Sequence, residues 1–127
     1  MTAPRPRVLL ADDHEGVLGA VQRLLAPSCE IVGQVLAGSG VLEAATRLTP
    51  DVVVLDISMP GLNGIEACAR IVQAVPKTRV IIFTAMDDEE IRLRALEMGA
   101  SAFVSKDRVL EDLLKAVHTA LWDGSPT

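Results

Sequence analysis

The sequence predicts one α/β domain: a five-stranded, doubly wound parallel sheet in strand order 2-1-3-4-5, with five helices. Three observations carry this. Five apolar runs begin at Val8, Ile31, Val52, Val80 and Ala102, each 21 to 28 residues after the last. That is room for one strand, a helix of roughly ten residues and two loops. Three of the runs, V-L-L-A, V-V-V-L and V-I-I-F, are apolar without alternation, as in strands covered on both faces. Between the runs lie segments with apolar residues at helical spacing, and strict strand–helix alternation gives a parallel sheet layered by helices. For five such units in one compact domain, 2-1-3-4-5 is the favoured order.

The elements follow in turn. After V-L-L-A, Val17, Val21, Leu24 and Leu25 make a helical stripe closed by Pro27. The run I-V-G-Q-V-L leads to a stripe of Val41, Ala45 and Leu48, which stops before Pro50. V-V-V-L leads through a turn-rich stretch, Pro60-Gly61 and Asn63-Gly64, to Ile65, Cys68, Ile71 and Val72, ending before Pro76. V-I-I-F is followed by Asp87, Asp88, Glu89 and Glu90, four acids suited to a helix N-terminus. That helix continues through Ile91, Ala95 and Met98 and stops at Gly99. A-F-V leads to the last stripe, Val109, Leu113, Leu114 and Val117, running toward Trp122. Residues 1–6 read as a flexible lead-in, 7–122 as the domain and 123–127 as a frayed tail.

Composition narrows the class. Half of the 127 residues are hydrophobic but only 2% are aromatic, so the core is aliphatic. The net charge of −5 argues against direct nucleic-acid binding by this domain and fits a soluble cytoplasmic protein that meets other proteins or cations. Cys29 and Cys68 lack metal-ligand spacing and read as free thiols. No apolar stretch is long enough to span a membrane, and the first residues lack the core of a secretion signal.

In a sheet of this kind ligands bind beyond the carboxyl ends of the strands, near the switch point between strands 1 and 3. Strand 1 ends in Asp12 and Asp13, strand 3 in Asp56, strand 4 in Thr84 and strand 5 in Lys106. Singly, each is ordinary: an Asp in a turn, a Thr in a strand, a solvated Lys. Together they bring three acids, a hydroxyl and an amine to one rim. One ammonium cannot neutralise three carboxylates, and a hard divalent cation, Mg2+ first, completes the set. His14 beside the acids reads as a helix-start residue rather than a ligand, and His118 as solvated.

With these residues the chain resembles the receiver domain of two-component response regulators. The motifs are D-D-H at Asp12, L-D-I-S-M-P-G-L-N-G-I-E at Leu55, F-T-A at Phe83 and G-A-S-A-F-V-S-K at Gly99, and the likeness runs from Arg7 to Trp122. The D-D-H and M-P-G-L-N-G-I-E segments are most similar to the branch whose members carry a C-terminal helix-turn-helix. The resemblance implies a flavodoxin-like fold and a signalling switch rather than a turnover enzyme. It implies Asp56 as phosphoacceptor, with a phosphohistidine of a sensor histidine kinase as donor. It implies Mg2+ held by Asp13, by Asp12 directly or through water, by Asp56 and by the Ser58 carbonyl. Lys106 would pair with Asp56 and then with phosphoryl oxygens, Thr84 would bond the phosphoryl group, and Phe103 would change position. The face of helix 4, strand 5 and helix 5 would then control an output such as transcription.

The resemblance implies that the positions of Ser58 and Met86 influence how a hydrolytic water is placed; neither offers a carboxylate or amide, so a phosphoryl group lasting minutes or longer is expected. Leu93, Leu96, Leu110 and Leu121 include candidates for an outward apolar surface, suited to a partner or a homodimer. A stand-alone receiver acting in a phosphorelay is the alternative to a regulator with an output domain. A haloacid dehalogenase-type hydrolase would need a second acid two residues after Asp56, where Ser58 stands. A nucleotide-binding protein would need a glycine-rich loop after strand 1, which is missing.

Overall fold

A computed structural model describes residues 5–59, 63–86, 88–107 and 110–123, the side chains of Trp122 and Asp123 excepted. Strand β1 (Arg7–Ala11) leads to helix α1 (Glu15–Leu25), β2 (Glu30–Val35), a 3-10 turn at Gly38–Gly40 and α2 (Val41–Leu48). β3 (Val52–Leu55), α3 (Gly64–Ala74), β4 (Arg79–Thr84), α4 (Glu89–Glu97), β5 (Ala102–Ser105) and α5 (Leu110–Asp123) complete the chain. The strands form one parallel sheet in the order β2-β1-β3-β4-β5, the order expected of five strand–helix units in one compact domain.

Alternate residues of each strand point to opposite faces, so one strand feeds two cores. Leu9, Ala11, Val53, Leu55, Val80 and Ile82 face one side, where Val41, Ala45, Cys68, Ile71 and Ala95 of α2, α3 and α4 cover them. Val8, Leu10, Val52, Val54, Ile81 and Phe83 face the other, under Leu18, Val21 and Leu25 of α1 and Leu113 and Val117 of α5. The unbroken apolar runs of β1, β3 and β4 are thus a consequence of double coverage. Edge strand β2 carries exposed Glu30 and Gln34 and a register shift between Val8 and Leu9 on its partner.

Local chemistry sets the helix ends. Asn63 Oδ1 accepts from Glu66 N at 3.2 Å to cap α3, and Asp88 Oδ1 accepts from Glu90 N at 2.8 Å to cap α4. Thr49 closes α2 in the left-handed region at φ 43, and Gly99 follows α4 at φ +108.

Several details differ from the sequence reading. In α1, Val21 and Leu25 of the expected stripe are buried and Val17 and Leu24 are half-buried against the same core, and Leu18, not in the expected stripe, is buried beside them. Met98 is not a core residue: α4 ends at Glu97, Met98 is its C-cap, and the side chain is 39% exposed. Ala95 is the buried residue of α4. Of the four leucines considered for an outward surface, Leu93 is exposed, while Leu96, Leu110 and Leu121 are half-buried. Pro60, Gly61, Asp87 and Val109 lie outside the described residues, as do residues 1–4 of the expected lead-in and 124–127 of the tail. Pro6 O accepts from Glu30 N at 2.8 Å, and the Arg5 guanidinium donates to Ala26 O at 2.9 Å.

Two tests follow from this packing. A methyl group on Gly64 would run into the Cα and Cβ of Ile57, which directly follows Asp56. The helix propensity gained from Gly64→Ala, about 1 kcal/mol, is outweighed by overpacking against backbone, so a net loss of about 1–3 kcal/mol is expected in urea denaturation. Equal or higher stability would mean that α3 does not abut the loop this closely. Both cysteines are buried, and burial pushes the Cys68 thiol up to about 11. At pH 8 the folded protein should react with an aromatic disulfide on the order of 100-fold slower than in denaturant. Equal rates would show that the thiols are open to solvent.

Candidate functional site

Three of the chain segments leaving the sheet at its carboxyl edge, those after β1, β3 and β5, are pinned by the backbone of a neighbouring strand. Asp12 N donates to Val35 O at 3.0 Å, Asp56 N to Ala11 O at 2.9 Å and Lys106 N to Thr84 O at 2.8 Å. The ladder therefore continues one residue past the strands and fixes where three side chains start. Asp12 is 4% exposed and Asp56 1%, an unusual position for carboxylates that demands partners.

Lys106 is the principal one. Its ammonium lies 2.7 Å from Asp12 Oδ2 and 2.9 Å from Asp56 Oδ2, bridging strands 1 and 3. It also sits 5.8 Å from the centroid of the Phe83 ring. The other Asp56 oxygen, Oδ1, accepts from Ser58 N at 2.9 Å and from Ser58 Oγ at 2.7 Å. Burial would raise the Asp56 pKa, but the Ser58 donors and Lys106 outweigh it and hold the carboxyl below its ordinary value. Burial likewise works against the Lys106 charge, and its two carboxylate partners overcome that to hold its pKa above the usual lysine value. Both groups are thus charged across the physiological range.

Asp13 differs. Among the described residues, its Oδ1 is the buried side-chain oxygen left without a hydrogen-bond partner. His14 Nδ1 lies 3.0 Å from that oxygen, but without the alignment of a hydrogen bond, and 3.1 Å from Asp12 Oδ1. Asp12 Oδ1 also accepts from His14 N at 2.9 Å. His14 is the N-cap of α1, as its place in the sequence suggests, and the ring folds back over the acids. Ligand atoms of Asp12, Asp13, His14 and Asp56 all lie within 4.8 Å of one another. Oxygens of this type, one of them buried and unsatisfied, form a donor set that a hard divalent cation fits.

Thr84 is fully buried at the end of β4, and its Oγ1 accepts from Met86 N at 3.3 Å. Phe103 on β5 pairs with Ile82, two residues before Thr84, and is half-buried against the α2–α3–α4 core. Thr84 and Phe103 therefore project from the same face of the sheet. Phe103 also lines an open groove of about 580 Å³ between β5 and α5, with Asp112, Lys115 and Thr119.

The sequence-predicted residues Asp12, Asp13, Asp56 and Lys106 come together at one point, with Ser58 against Asp56 and Thr84 and Phe103 on the adjoining face. The chain matches the model of the response regulator receiver domain over residues 8–118. It belongs to that family. The nitrate/nitrite response regulator protein NarL of Escherichia coli (strain K12) is 37% identical over 115 residues, covering 89% of this chain and 53% of NarL. The response regulator GacA of Pseudomonas aeruginosa is 33% identical over 114 residues, 88% of this chain and 53% of GacA. The chain thus spans about half the length of these relatives. Among solved structures, the signal receiver domain of a response regulator NarL from Mycobacterium tuberculosis superposes with a TM-score of 0.87 at 33% identity. That match covers 94% of this chain and 98% of the other. A LuxR-family two-component response regulator from Aurantimonas sp. SI85-9A1 matches with a TM-score of 0.87 at 32% identity, over 94% and 86% of the chains. The chain is therefore a receiver domain related to NarL- and LuxR-type regulators.

Two features escaped the sequence reading. Lys106 pairs with Asp12 as closely as with Asp56, a contact that only the strand order reveals. Ser58 reaches Asp56 with its hydroxyl as well as its backbone N–H, the two-residue turn that a serine after an aspartate can form.

Three carboxylates around one ammonium leave the site short of positive charge, with Asp13 the least satisfied. Asp13→Asn should therefore raise stability in the presence of chelator by about 1 kcal/mol, read as a higher urea midpoint. A variant less stable than its parent would mean that the Asp13 charge is already compensated.

Proposed function

We propose that this domain is a phosphoacceptor switch. Asp56 takes a phosphoryl group from the phosphohistidine of a sensor histidine kinase, or from a small phosphate donor. The observation that carries this reading is a buried Asp56 carboxylate held by Lys106 next to the unpartnered Asp13 oxygen. One Asp56 oxygen forms a bond to phosphorus as the donor's phosphorus–nitrogen bond breaks. The electron pair stays on the imidazole nitrogen, which is then protonated.

The chain's own residues prepare each part. Ser58 N–H and Oγ–H orient the carboxylate through Oδ1. Lys106 leaves Asp56 Oδ2 for the phosphoryl oxygens and stabilises the charge that builds there. Mg2+, when held by Asp12, Asp13, Asp56 and the Ser58 carbonyl, supplies the positive charge that lets an anionic carboxylate meet an anionic phosphate. The Thr84 hydroxyl turns from Met86 N and donates to the phosphoryl group. Phe103, on the same face, moves into the space this vacates and reshapes the surface of α4, β5 and α5. Exposed Leu93 and Met98 give that surface apolar ground for a second copy or another partner. The likeness to LuxR-family regulators supports transcription as the output, through a helix-turn-helix domain carried elsewhere in the full protein.

Intact-mass spectrometry after incubation with acetyl phosphate and Mg2+ tests this reading. The expected result is one added phosphoryl group, dependent on Mg2+, absent from Asp56→Asn and lost over minutes or longer. An adduct that persists in Asp56→Asn would overturn the assignment of the acceptor, and decay within seconds would overturn the expected lifetime.

A further inference from the structure

We infer that Phe83 is a positioning residue for the phosphoryl transfer: the face of its ring carries the Lys106 ammonium and guides it from the carboxylates to the phosphoryl oxygens. This rests on the phosphoacceptor reading above and adds to it a residue whose side chain has no polar atom. The strand order calls for such a support. Asp56 follows β3 and Lys106 follows β5, so the lysine side chain must cross the end of β4 to reach its partner. Phe83 stands there, paired with Val104 of β5 and facing the same side of the sheet. Lys106 comes two residues after Val104 along the same ladder, and its ammonium lies 5.8 Å from the centroid of the Phe83 ring. A cation within about 6 Å of an aromatic centroid is drawn to the negative face of the ring.

The surroundings strengthen that attraction. Phe83 is 4% exposed and the Lys106 side chain 14%, so little water competes for the ammonium. The ring also borders a void of about 10 Å³ that it shares with Asp12 and Asp56, walled mostly by aliphatic residues such as Val17 and Val21. That space is at the lower limit for one water molecule, and its aliphatic walls offer a water few partners. The carboxylates do not guide the ammonium by themselves. Asp56 changes charge and shape as it accepts the group, and in the proposed mechanism Asp12 is shared with the cation. The ring presents the same surface before and after the transfer, which confines the ammonium near the reacting oxygens. A leucine would fill the same core space, but only an aromatic ring supplies the face.

The test replaces Phe83 in the full chain with mono-, di- and trifluorophenylalanine, which keep the shape of the ring while draining its negative face. Phosphorylation by acetyl phosphate at saturating Mg2+ is followed by intact-mass spectrometry. Urea midpoints are measured for the same series with Lys106 intact and with Lys106→Gln. The rate should fall with each added fluorine, by about threefold or more at the third, and Phe83→Leu should be as slow as the trifluoro variant. The midpoint should fall along the series with Lys106 intact and stay level in Lys106→Gln. A rate that does not change along the series, or a midpoint trend that is the same with and without the lysine, would overturn the role of Phe83 and leave the phosphoacceptor reading intact. A parent chain that takes up no phosphoryl group would overturn that reading and the positioning role with it, while the midpoints would still report the contact.

Discussion

Lys106 holds this site together by being insufficient for it. One ammonium reaches Asp12 and Asp56 at once, at 2.7 and 2.9 Å, and has nothing left for Asp13. Burying two carboxylates within a few ångströms of each other is affordable because the ammonium bridges them and Ser58 and His14 N–H groups satisfy their other oxygens. The remaining charge imbalance is what makes the rim receptive to a cation and, by the proposed function, to phosphate chemistry. A second lysine would neutralise the acids and close the site; the loss of Lys106 would leave Asp12 and Asp56 facing each other bare.

The sheet supplies the precision this balance needs. A carboxylate displaced by an ångström would lose its bond to Lys106, so the start of each functional side chain must be fixed. The ladder bonds from Asp12, Asp56 and Lys106 to the neighbouring strands do that, and the two aliphatic cores clamp the strands from both sides. Gly64 extends the same control to the loop beyond Asp56, since its missing side chain lets α3 lie against Ile57. The fold and the site are therefore one argument. The unbroken apolar runs exist because both sheet faces are covered, and that coverage holds charged groups still at the edge.

Most of this was legible in the sequence, and the exceptions have physical reasons. Run spacing and lack of alternation gave the strands, because the double-layered sheet imposes both, and the order followed from the preference of five such units in one compact domain. The convergence of Asp12, Asp13, Asp56, Thr84 and Lys106 on one rim was visible because parallel strands all end on the same side. Helix faces were read less well. Met98 fits a helical stripe by spacing, but α4 stops one residue before it and turns it outward. The stripe of α1 was read correctly at Val21 and Leu25 but missed Leu18, which is buried where Val17 is only half-buried against the same core. The Lys106–Asp12 contact and the folded-back His14 ring depend on rotamers and on strand adjacency, and single-residue patterns carry neither.

The placement of Thr84 and Phe103 suits the proposed passage of a signal away from this rim. A switch needs an element with two arrangements of similar energy, and a fully packed core does not offer one. Thr84 is fully buried and its carbonyl accepts from Lys106 N, which suits it to the proposed contact with a phosphoryl group, while Phe103 lies on an edge strand and is only half-buried. Beside Phe103 the groove between β5 and α5 leaves room, whereas the other sheet edge, β2, carries exposed Glu30 and Gln34 and no aromatic. The helix above them, α4, has Ala95 as its buried residue, with Ile91 and Leu96 half-buried, whereas α2 buries three residues and α3 four. Chemistry fixed by the ladder thus borders directly on the part of the structure that can move at least cost. That adjacency lets the proposed phosphoryl group alter a surface that never touches it.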